Sequence, residues 1–355
     1  MIWLIGNKGM LGTEIARQLT ENKLDFVGTD RDVDFTDMAS LESFVDGKNI
    51  DYIINCAAYT AVDKAESEPE LAAKLNAIGP QNLAEIANRL DATLIHISTD
   101  YVFDGTGDTP RTEDMLPSPI GVYGATKCNG ETAVIMCCKK YYILRTAWLY
   151  GWAGKNFVYT MIKAMNTHDA VKVVNDQKGT PTFAGDLAGV IIKIVEKNAG
   201  SQTGAGGSGA AESAEKTTGT AEAAEPAVPY GIYHCTDLGE ITWWDFTNEI
   251  KKQGIETGWI NERGKACVVN PCTSDEYPTP AKRPAYSVLS KDKIQAALGI
   301  TLPDWKESLG VFLSSPLFDK SRIEAEVQAT AKPEAEAKAS EKKGFTGFFI
   351  KLFKK

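Results

Sequence analysis

Short apolar runs alternate with amphipathic patterns through the first 150 residues of this 355-residue chain. The runs are typical of buried strands, which we predict at Ile2–Ile5, Asp25–Thr29, Tyr52–Asn55, Thr93–Ser98 and Tyr142–Arg145. Helical spacing of the apolar residues predicts helices at Gly9–Glu21, Met38–Val45, Glu68–Asn88 and Tyr123–Cys138. Because helices connect the strands, we expect the strands to be parallel and covered on both faces. The pattern predicts an α/β fold with a Rossmann-like, doubly wound parallel sheet in residues 1–150.

The pattern becomes less regular after Gly151. The predicted elements there are a helix at Asn156–Asn166, a strand at Val171–Val174, a helix at Gly185–Lys197 and a helix through Trp243–Gln253. Residues 199–229 are rich in Ala, Gly, Ser, Thr and Glu, and we predict a disordered insertion because they have little apolar surface to bury. The remaining segments, 151–198 and 230–318, predict a smaller, interleaved C-terminal domain with segments that return to the first sheet.

The C-terminal end predicts a flexible linker over 319–343 and an amphipathic basic tail over 344–355. Phe345, Phe348, Phe349, Leu352 and Phe353 form one face of the tail helix, with Lys351, Lys354 and Lys355 at its edge or beyond. The tail is shorter than the roughly 20 residues that span a bilayer. We therefore predict peripheral contact with anionic lipid at the inner face of the membrane. Docking of the tail on the domain or on a partner is an equal alternative.

Composition excludes several classes of protein. The net charge of −9 and a pI near 5.1 argue against a nucleic-acid-binding protein. The seven cysteines include no C-x-x-C pair, and the three histidines are isolated, so we expect reduced thiols and no metal site. The N-terminus enters an apolar strand directly and lacks the basic region of a signal peptide. These features predict a cytoplasmic enzyme.

A glycine-rich turn follows the first predicted strand and precedes the first helix. In Gly6-Asn-Lys-Gly9-Met10-Leu11-Gly12, the glycines let the backbone approach a pyrophosphate at the helix N-terminus. A ligand-free turn is the alternative interpretation. Asp30 ends the second predicted strand, where a carboxylate can accept a hydrogen bond from the ribose 2′-hydroxyl of NADH. The next residue, Arg31, could instead bind the 2′-phosphate of NADPH. The sequence therefore favours NADH and leaves NADPH open. Asp34 and Phe35 are either an adenine contact or a turn.

Reduction of a carbonyl by a nicotinamide cofactor needs a hydroxyl, a phenol and an ammonium. Thr99, Tyr123 and Lys127 supply these groups in this order along the chain. Thr99 closes a predicted strand, and Tyr123 and Lys127 lie four positions apart, on one face of a helix. We expect the ammonium to lower the pKa of the phenol from about 10 toward neutrality. The phenol then donates a proton to a ketone oxygen while hydride reaches the carbon.

Further motifs carry a resemblance to a known family. They include Asn55-Cys-Ala-Ala-Tyr-Thr-Ala-Val-Asp-Lys-Ala-Glu66, Leu75-Asn76, Arg145-Thr-Ala-Trp-Leu-Tyr-Gly151, Asn175-Asp-Gln-Lys-Gly-Thr-Pro-Thr182 and Lys282-Arg-Pro-Ala-Tyr-Ser287. With the glycine turn, these motifs resemble the dTDP-4-dehydrorhamnose reductases, which are extended short-chain dehydrogenases. The resemblance covers about Met1–Lys197 and Tyr230–Leu313. It implies reduction of the C4 ketone of dTDP-4-dehydro-L-rhamnose to dTDP-L-rhamnose, a precursor of surface polysaccharide.

The resemblance also implies a role for individual residues. The cofactor side comprises Gly6, Gly9, Met10, Leu11 and Gly12 at the pyrophosphate, Asp30, Asp34 and Phe35 at the adenosine, and Ala58, Tyr59 and Thr60 along the far half. The substrate side comprises Val62, Thr99, Asp100, Trp148 and Arg283. The implied catalytic residues are Tyr123 as proton donor, Lys127 at the nicotinamide ribose, Thr99, and Asn76, which helps to position the lysine and a relay water.

Alternatives remain at the level of residues and of function. Trp148 is also typical of a buried core position, and Arg283 could belong to a simple turn. Asp63 and Glu66 are also typical of a solvent-exposed start of a helix. Another sugar-nucleotide reductase or epimerase would keep the Tyr and Lys. A non-catalytic regulatory subunit, resembling that of methionine adenosyltransferase, would keep the fold. The motif Thr60-Ala-Val-Asp-Lys-Ala-Glu66 favours the reductase over an epimerase, and the intact Thr99, Tyr123 and Lys127 argue against the regulatory subunit. Homodimer formation, magnesium dependence and the choice between NADH and NADPH stay open.

Overall fold

The computed structural model describes residues 1–203, 226–321 and 323. Its strands are β1 Ile2–Ile5, β2 Phe26–Thr29, β3 Tyr52–Asn55, β4 Thr93–Thr99, β5 Tyr141–Thr146, β6 Leu149–Tyr150, β7 Ala170–Val174, β8 Lys178–Gly179, β9 Thr182–Phe183, β10 Gly231–His234, β11 Ile241–Thr242 and β12 Val268–Cys272. Its α-helices are α1 Met10–Glu21, α2 Met38–Val45, α3 Val62–Ala65, α4 Pro69–Ala73, α5 Gly79–Arg89, α6 Val122–Cys137, α7 Phe157–Thr167, α8 Ala184–Thr203, α9 Trp243–Glu256, α10 Glu262–Ala266, α11 Asp292–Leu298 and α12 Trp305–Ser314.

A six-stranded parallel sheet forms the centre of the molecule, in the order β10-β5-β4-β3-β1-β2. After β1, the chain first adds β2 on one side and then adds β3, β4 and β5 in turn on the other side. The direction in which strands are added therefore reverses between β1 and β3. Ligands of doubly wound sheets bind beyond the carboxyl ends of the strands at such a reversal. Apolar clusters cover both faces, one including Leu4 and Ile54 and the other Trp3 and Ile53. The predicted doubly wound sheet is therefore confirmed.

The predicted helix over 68–88 is interrupted. Between α4 and α5 the backbone forms a π-helical turn, Lys74–Ile78, that contains the fully buried Asn76. Wide turns of this kind carry one more residue than an α-helical turn and are frequent at functional sites. Apolar spacing cannot reveal this extra residue, because the flanking helices keep the ordinary period.

A second core lies beside the sheet. It consists largely of aromatic rings that α7, α9, α12 and the adjoining short strands enclose: Tyr150, Tyr159, Phe183, Phe246, Trp305, Phe312 and Phe318. The parallel pair β7 and β12 flanks this core, and the antiparallel pair β8 and β11 connects residues far apart in sequence. The segment after residue 230 contributes both to this core and, through β10, to the main sheet.

Two predicted boundaries need correction. The insertion predicted over 199–229 is shorter, because α8 continues to Thr203 and the fully buried Val228 accepts a hydrogen bond from Tyr142. The linker predicted from 319 begins later, because Ile323 is buried in the aromatic core. Residues 204–225 and 324–355, which include most of both segments and the predicted tail, lie outside the described residues. Among the described helices, none is long and apolar enough to cross a membrane.

A buried ion pair attaches α6 to the sheet. Arg145 on β5 donates to both carboxylate oxygens of Glu131 on α6, at 2.9 and 2.6 Å, and both side chains are at most 3% exposed. A ring nitrogen of His234 lies 3.4 Å from the guanidinium, and burial lowers the pKa of that histidine to about 3. The histidine is therefore neutral and leaves the charge of the pair balanced.

Removing one partner of this pair should destabilise the protein strongly. Arg145→Ala leaves the Glu131 carboxylate buried and unpaired, so we expect the free energy of unfolding to fall by about 3–5 kcal/mol. Urea denaturation measures the change. Arg89→Ala is the matched control, because Arg89 pairs with Glu42 at the surface, where such pairs contribute about 1 kcal/mol or less. Equal losses of unfolding free energy in the two variants would show that burial of the Arg145 pair does not increase its contribution to stability.

Candidate active site

The glycine turn between β1 and α1 forms an open cradle. Gly6 has a φ of +75°, and a Cβ at Gly12 would lie 2.1 Å from the Gly6 carbonyl oxygen, so only glycine fits at position 12. Gly9 precedes α1, whose first turn has no side-chain cap and no acidic residue. Its N–H groups and the positive end of the helix dipole are therefore available to an anion. This arrangement fits the pyrophosphate of a dinucleotide.

The adenosine side of the predicted cofactor site lies after β2. Asp30 is half-buried and follows the last residue of that strand. Asp34 is exposed, and hydrogen bonds from Thr36 hold the pKa of its carboxyl below the usual value. Phe35 is only 7% exposed and its ring packs against Gly79. Asp34 and Phe35 thus have structural roles here, and their contact with adenine stays a prediction.

Asn76 ties the loop after β3 to helix α6. Its side chain accepts from the Tyr59 amide at 2.8 Å and donates to the Tyr59 carbonyl at 3.1 Å and to Thr126 Oγ1 at 3.2 Å. Ala58 and Thr60 flank Tyr59, whose own hydroxyl donates to Glu68 at 2.5 Å. The amide of Asn76 therefore fixes two walls of the site relative to each other. Its predicted role at the lysine and a relay water stays a prediction.

Thr99 lies at the carboxyl end of β4, beside the proposed proton donor. Its hydroxyl donates to Asp100 at 2.9 Å and accepts from the Tyr101 amide at 3.2 Å. Tyr123 is the second residue of α6, and its phenol lies near the Thr99 hydroxyl. Burial raises the pKa of the Asp100 carboxyl to about 6, and the hydrogen bond from Thr99 opposes that rise.

The expected pKa shift of Tyr123 is wrong. Burial raises the pKa of its phenol to about 12, and the nearby Thr99 hydroxyl only partly opposes it. Lys127 does not measurably lower this pKa, and its ammonium donates to the Ile97 carbonyl at 2.5 Å. Burial lowers the pKa of Lys127 to about 8. The phenol therefore keeps its proton at neutral pH, which is the form that a ketone reduction requires.

The substrate-side residues lie on three separate segments. Trp148 is half-buried and has a φ of +46°, a conformation that strains a bulky residue. Its ring stacks on Trp243 with centroids 3.6 Å apart. Val62 is half-buried at the start of α3. Both terminal nitrogens of Arg283 donate to Asp63 at 3.0 Å, so its predicted contact with substrate stays a prediction.

Sequence reasoning missed several partners of these residues. Trp243 supports Trp148, Thr126 supports Asn76, and Glu68 holds the Tyr59 hydroxyl. Their spacing along the chain carries no signal, because each contact depends on how distant elements pack. Within the part of the chain that the structure describes, no group of three His, Cys, Asp or Glu side chains is arranged to hold a metal ion.

Comparisons with known proteins identify the family. The family model described as RmlD substrate binding domain matches residues 1–208 and 207–317. A dTDP-4-dehydrorhamnose reductase from Aggregatibacter actinomycetemcomitans is 37% identical over 312 residues, which are 86% of this chain and 96% of that relative. The chain belongs to the dTDP-4-dehydrorhamnose reductase family.

Solved reductase structures agree with this assignment. The dTDP-4-dehydrorhamnose reductase of Clostridium acetobutylicum aligns with a TM-score of 0.74 and 41% identity, over 88% of this chain and 98% of that one. The reductase of Bacillus anthracis, solved in complex with NADP, has a TM-score of 0.74 and 32% identity, over 88% and 97%. The chain is thus similar to these dTDP-4-dehydrorhamnose reductases over nearly their whole length.

Replacing the predicted proton donor, Tyr123, should abolish reduction and spare cofactor binding. Tyr123→Phe removes one hydroxyl, and we expect kcat to fall by about 10²–10⁴-fold, the usual contribution of general acid catalysis. The glycine cradle is untouched, so the Kd of the reduced cofactor, measured by fluorescence titration, should stay within about two-fold. Tyr141→Phe at the start of β5 is the control. A Tyr123→Phe enzyme with more than half the kcat of the unmodified protein would refute the assignment.

The pH profile should report the depressed pKa of Lys127. As pH rises through about 8, its ammonium loses the proton that holds it charged, so kcat/KM for the reduced cofactor should fall above that pH. Tyr123 remains protonated throughout this range and does not contribute to the fall. Lys139→Ala, an exposed lysine, should leave the profile unchanged. A profile flat to about pH 10, the ordinary range for lysine, would contradict a buried, depressed Lys127.

Proposed function

We propose that this protein reduces the C4 ketone of dTDP-4-dehydro-L-rhamnose to dTDP-L-rhamnose, with NADH or NADPH as the reductant. The observation that carries the proposal is that Thr99, Tyr123 and Lys127 lie together at the carboxyl end of β4, in the same sheet as the strand that leads into the glycine turn. The names of the reductase relatives support the substrate, and the NADP-bound relative supports the cofactor class.

The residues of the chain account for the parts of this reaction. When bound, the nicotinamide supplies the hydride that the C4 carbon receives. Tyr123 donates its phenolic proton to the C4 oxygen, so the ketone gains one hydride and one proton and becomes an alcohol. Thr99 lies beside the phenol, and the Ile97 carbonyl holds the Lys127 ammonium, which would bind the nicotinamide ribose of a bound cofactor. Trp148 and Asp100 face the sugar in this arrangement.

Cofactor choice depends on the segment after β2. The Asp30 carboxylate suits the two hydroxyls of an unmodified ribose, whereas the exposed Arg31 beside it suits a 2′-phosphate. Both cofactors therefore belong in the test.

A turnover assay tests the proposal. The purified chain is mixed with dTDP-4-dehydro-L-rhamnose and either NADH or NADPH, and oxidation of the cofactor is followed by absorbance. We expect sugar-dependent oxidation, with one dTDP-L-rhamnose formed per cofactor consumed, as measured by NMR of the product. Interconversion of sugars without net oxidation would favour the epimerase. No turnover with either cofactor, despite tight cofactor binding, would favour a regulatory subunit.

Four further points concern the setting of the enzyme. We propose a cytoplasmic enzyme with peripheral contact between the tail, residues 344–355, and anionic lipid. The support is the sequence pattern of apolar and lysine residues alone, because the tail lies outside the described residues. Homodimer formation and magnesium dependence also stay predictions.

A further inference from the structure

Helix α3 carries two carboxylates that hold two different parts of the active site. Asp63 lies in its first turn, and Glu66 follows its last residue. The first contacts the loop over residues 278–290, and the second contacts the first residue of α6. The two contacts join a substrate-side loop and the helix of the proton donor through a single short helical turn.

The Asp63 contact is a bidentate ion pair. Arg283 donates from both terminal nitrogens to the two Asp63 oxygens at 3.0 Å, and the Ala281 amide donates to the same carboxylate at 3.3 Å. About a fifth of each charged side chain is exposed, at 21% and 18%. Two parallel hydrogen bonds fix direction as well as distance, so this contact defines where the loop lies.

The same loop also bonds to the segment that follows Thr99. The Tyr286 amide donates to the Gly105 carbonyl at 3.0 Å, and the Arg111 amide donates to the Val288 carbonyl at 2.8 Å. Ser287 of this loop donates to the Lys178 carbonyl at 3.4 Å and lies near the buried Asp100, which follows Thr99. Docking of the 278–290 loop therefore shapes the substrate side of the site.

Glu66 caps the catalytic helix from outside it. Its Oε1 accepts from the Val122 amide at 2.9 Å, one residue before Tyr123. The N-cap residue of α6 is Gly121, which has no side chain to cap with, and the first turn contains no acidic residue. A Cβ at Gly121 would lie 2.9 Å from Glu66 Oε1, so the glycine makes room for this carboxylate. Glu66 thus supplies the acceptor that α6 lacks at its own N-terminus.

Apolar packing completes the link to the proton donor. Ala65 of α3 belongs to one small cluster with Tyr59, Ala72, Val122 and Tyr123. The Tyr123 ring is also held edge-on by Tyr101, with centroids 5.4 Å apart. A displacement of α3 would therefore move the first turn of α6 and with it the phenol.

We propose that Asp63 and Glu66 are positioning residues that couple docking of the 278–290 loop to the placement of the Tyr123 phenol. Neither residue touches the reacting atoms. The inference rests on the proposed reductase function for its kinetic consequences, and on the structure alone for the coupling itself. A loop docked by Asp63 holds α3 in place, and α3 then holds the N-terminus of the catalytic helix through Glu66.

Kinetics of Glu66 variants test the positioning role. Glu66→Ala should lower kcat by about ten-fold or more, because small displacements of a catalytic group are costly, while KM for the cofactor stays within about two-fold. Glu66→Gln keeps an oxygen acceptor and should restore most of kcat. Glu70→Ala, an exposed glutamate on α4, is the matched control. An unchanged kcat in Glu66→Ala, or a Gln variant as slow as the Ala variant, would overturn the role.

A double-mutant cycle tests the coupling. Asp63→Ala and Glu66→Ala should each reduce kcat, and the double variant should lose less than the product of the two single losses. Purely multiplicative losses would show that the two carboxylates act independently and would overturn the coupling.

Amide hydrogen exchange keeps the inference testable even if the wild type does not reduce the proposed sugar. Asp63→Ala should speed exchange both in the 278–290 loop and in the first turn of α6, whereas Glu70→Ala should change neither. Faster exchange in the loop alone would overturn the coupling. Failure of the wild-type turnover assay, with coupled exchange intact, would instead overturn the reductase function and leave this link standing.

Discussion

The buried ion pair between Arg145 and Glu131 fixes helix α6 against strand β5. Both side chains are at most 3% exposed, so the pair has lost nearly all contact with water and depends on its two hydrogen bonds. Its cost of desolvation is high, and its geometry is correspondingly restrictive. Tyr123 and Lys127 lie in the N-terminal half of α6, next to the carboxyl end of β4. This ion pair, made farther along the same helix, therefore contributes to where the two residues lie relative to Thr99.

Burial governs the electrostatics of the site more than neighbouring charges do. Four-residue spacing on a helix correctly places Tyr123 and Lys127 on one face, but it says nothing about how deeply either group is buried. In the folded protein the pKa of Tyr123 rises and that of Lys127 falls, since removal from water disfavours the charged form of both. The result is a neutral proton donor beside an ammonium that titrates within the range in which enzymes work.

Local patterns of the sequence predicted the sheet well, because each buried strand is a contiguous apolar run. The predicted and observed bounds of β1 and β3 coincide, and those of β4 and β5 differ by a residue at one or both ends. Contacts between distant residues were not predictable in this way. Arg283 was predicted on the substrate side, yet the partner that the structure gives it, Asp63, lies 220 positions away in the chain. The π-helical turn at Asn76 was not predicted from the sequence for a related reason, because only tertiary packing reveals its extra residue.

The position of β10 has a consequence for how the chain folds during synthesis. Its partner β5 ends at Thr146, whereas β10 begins at Gly231. One edge of β5 therefore stays unpaired until a strand synthesised much later becomes available. At translation speeds of about 5–20 residues per second, β5 keeps an unpaired edge for several seconds after it leaves the ribosome. An open edge of this kind is a template for pairing with other chains. The nascent enzyme therefore passes through a stage at which a ribosome-bound chaperone has an exposed strand to protect.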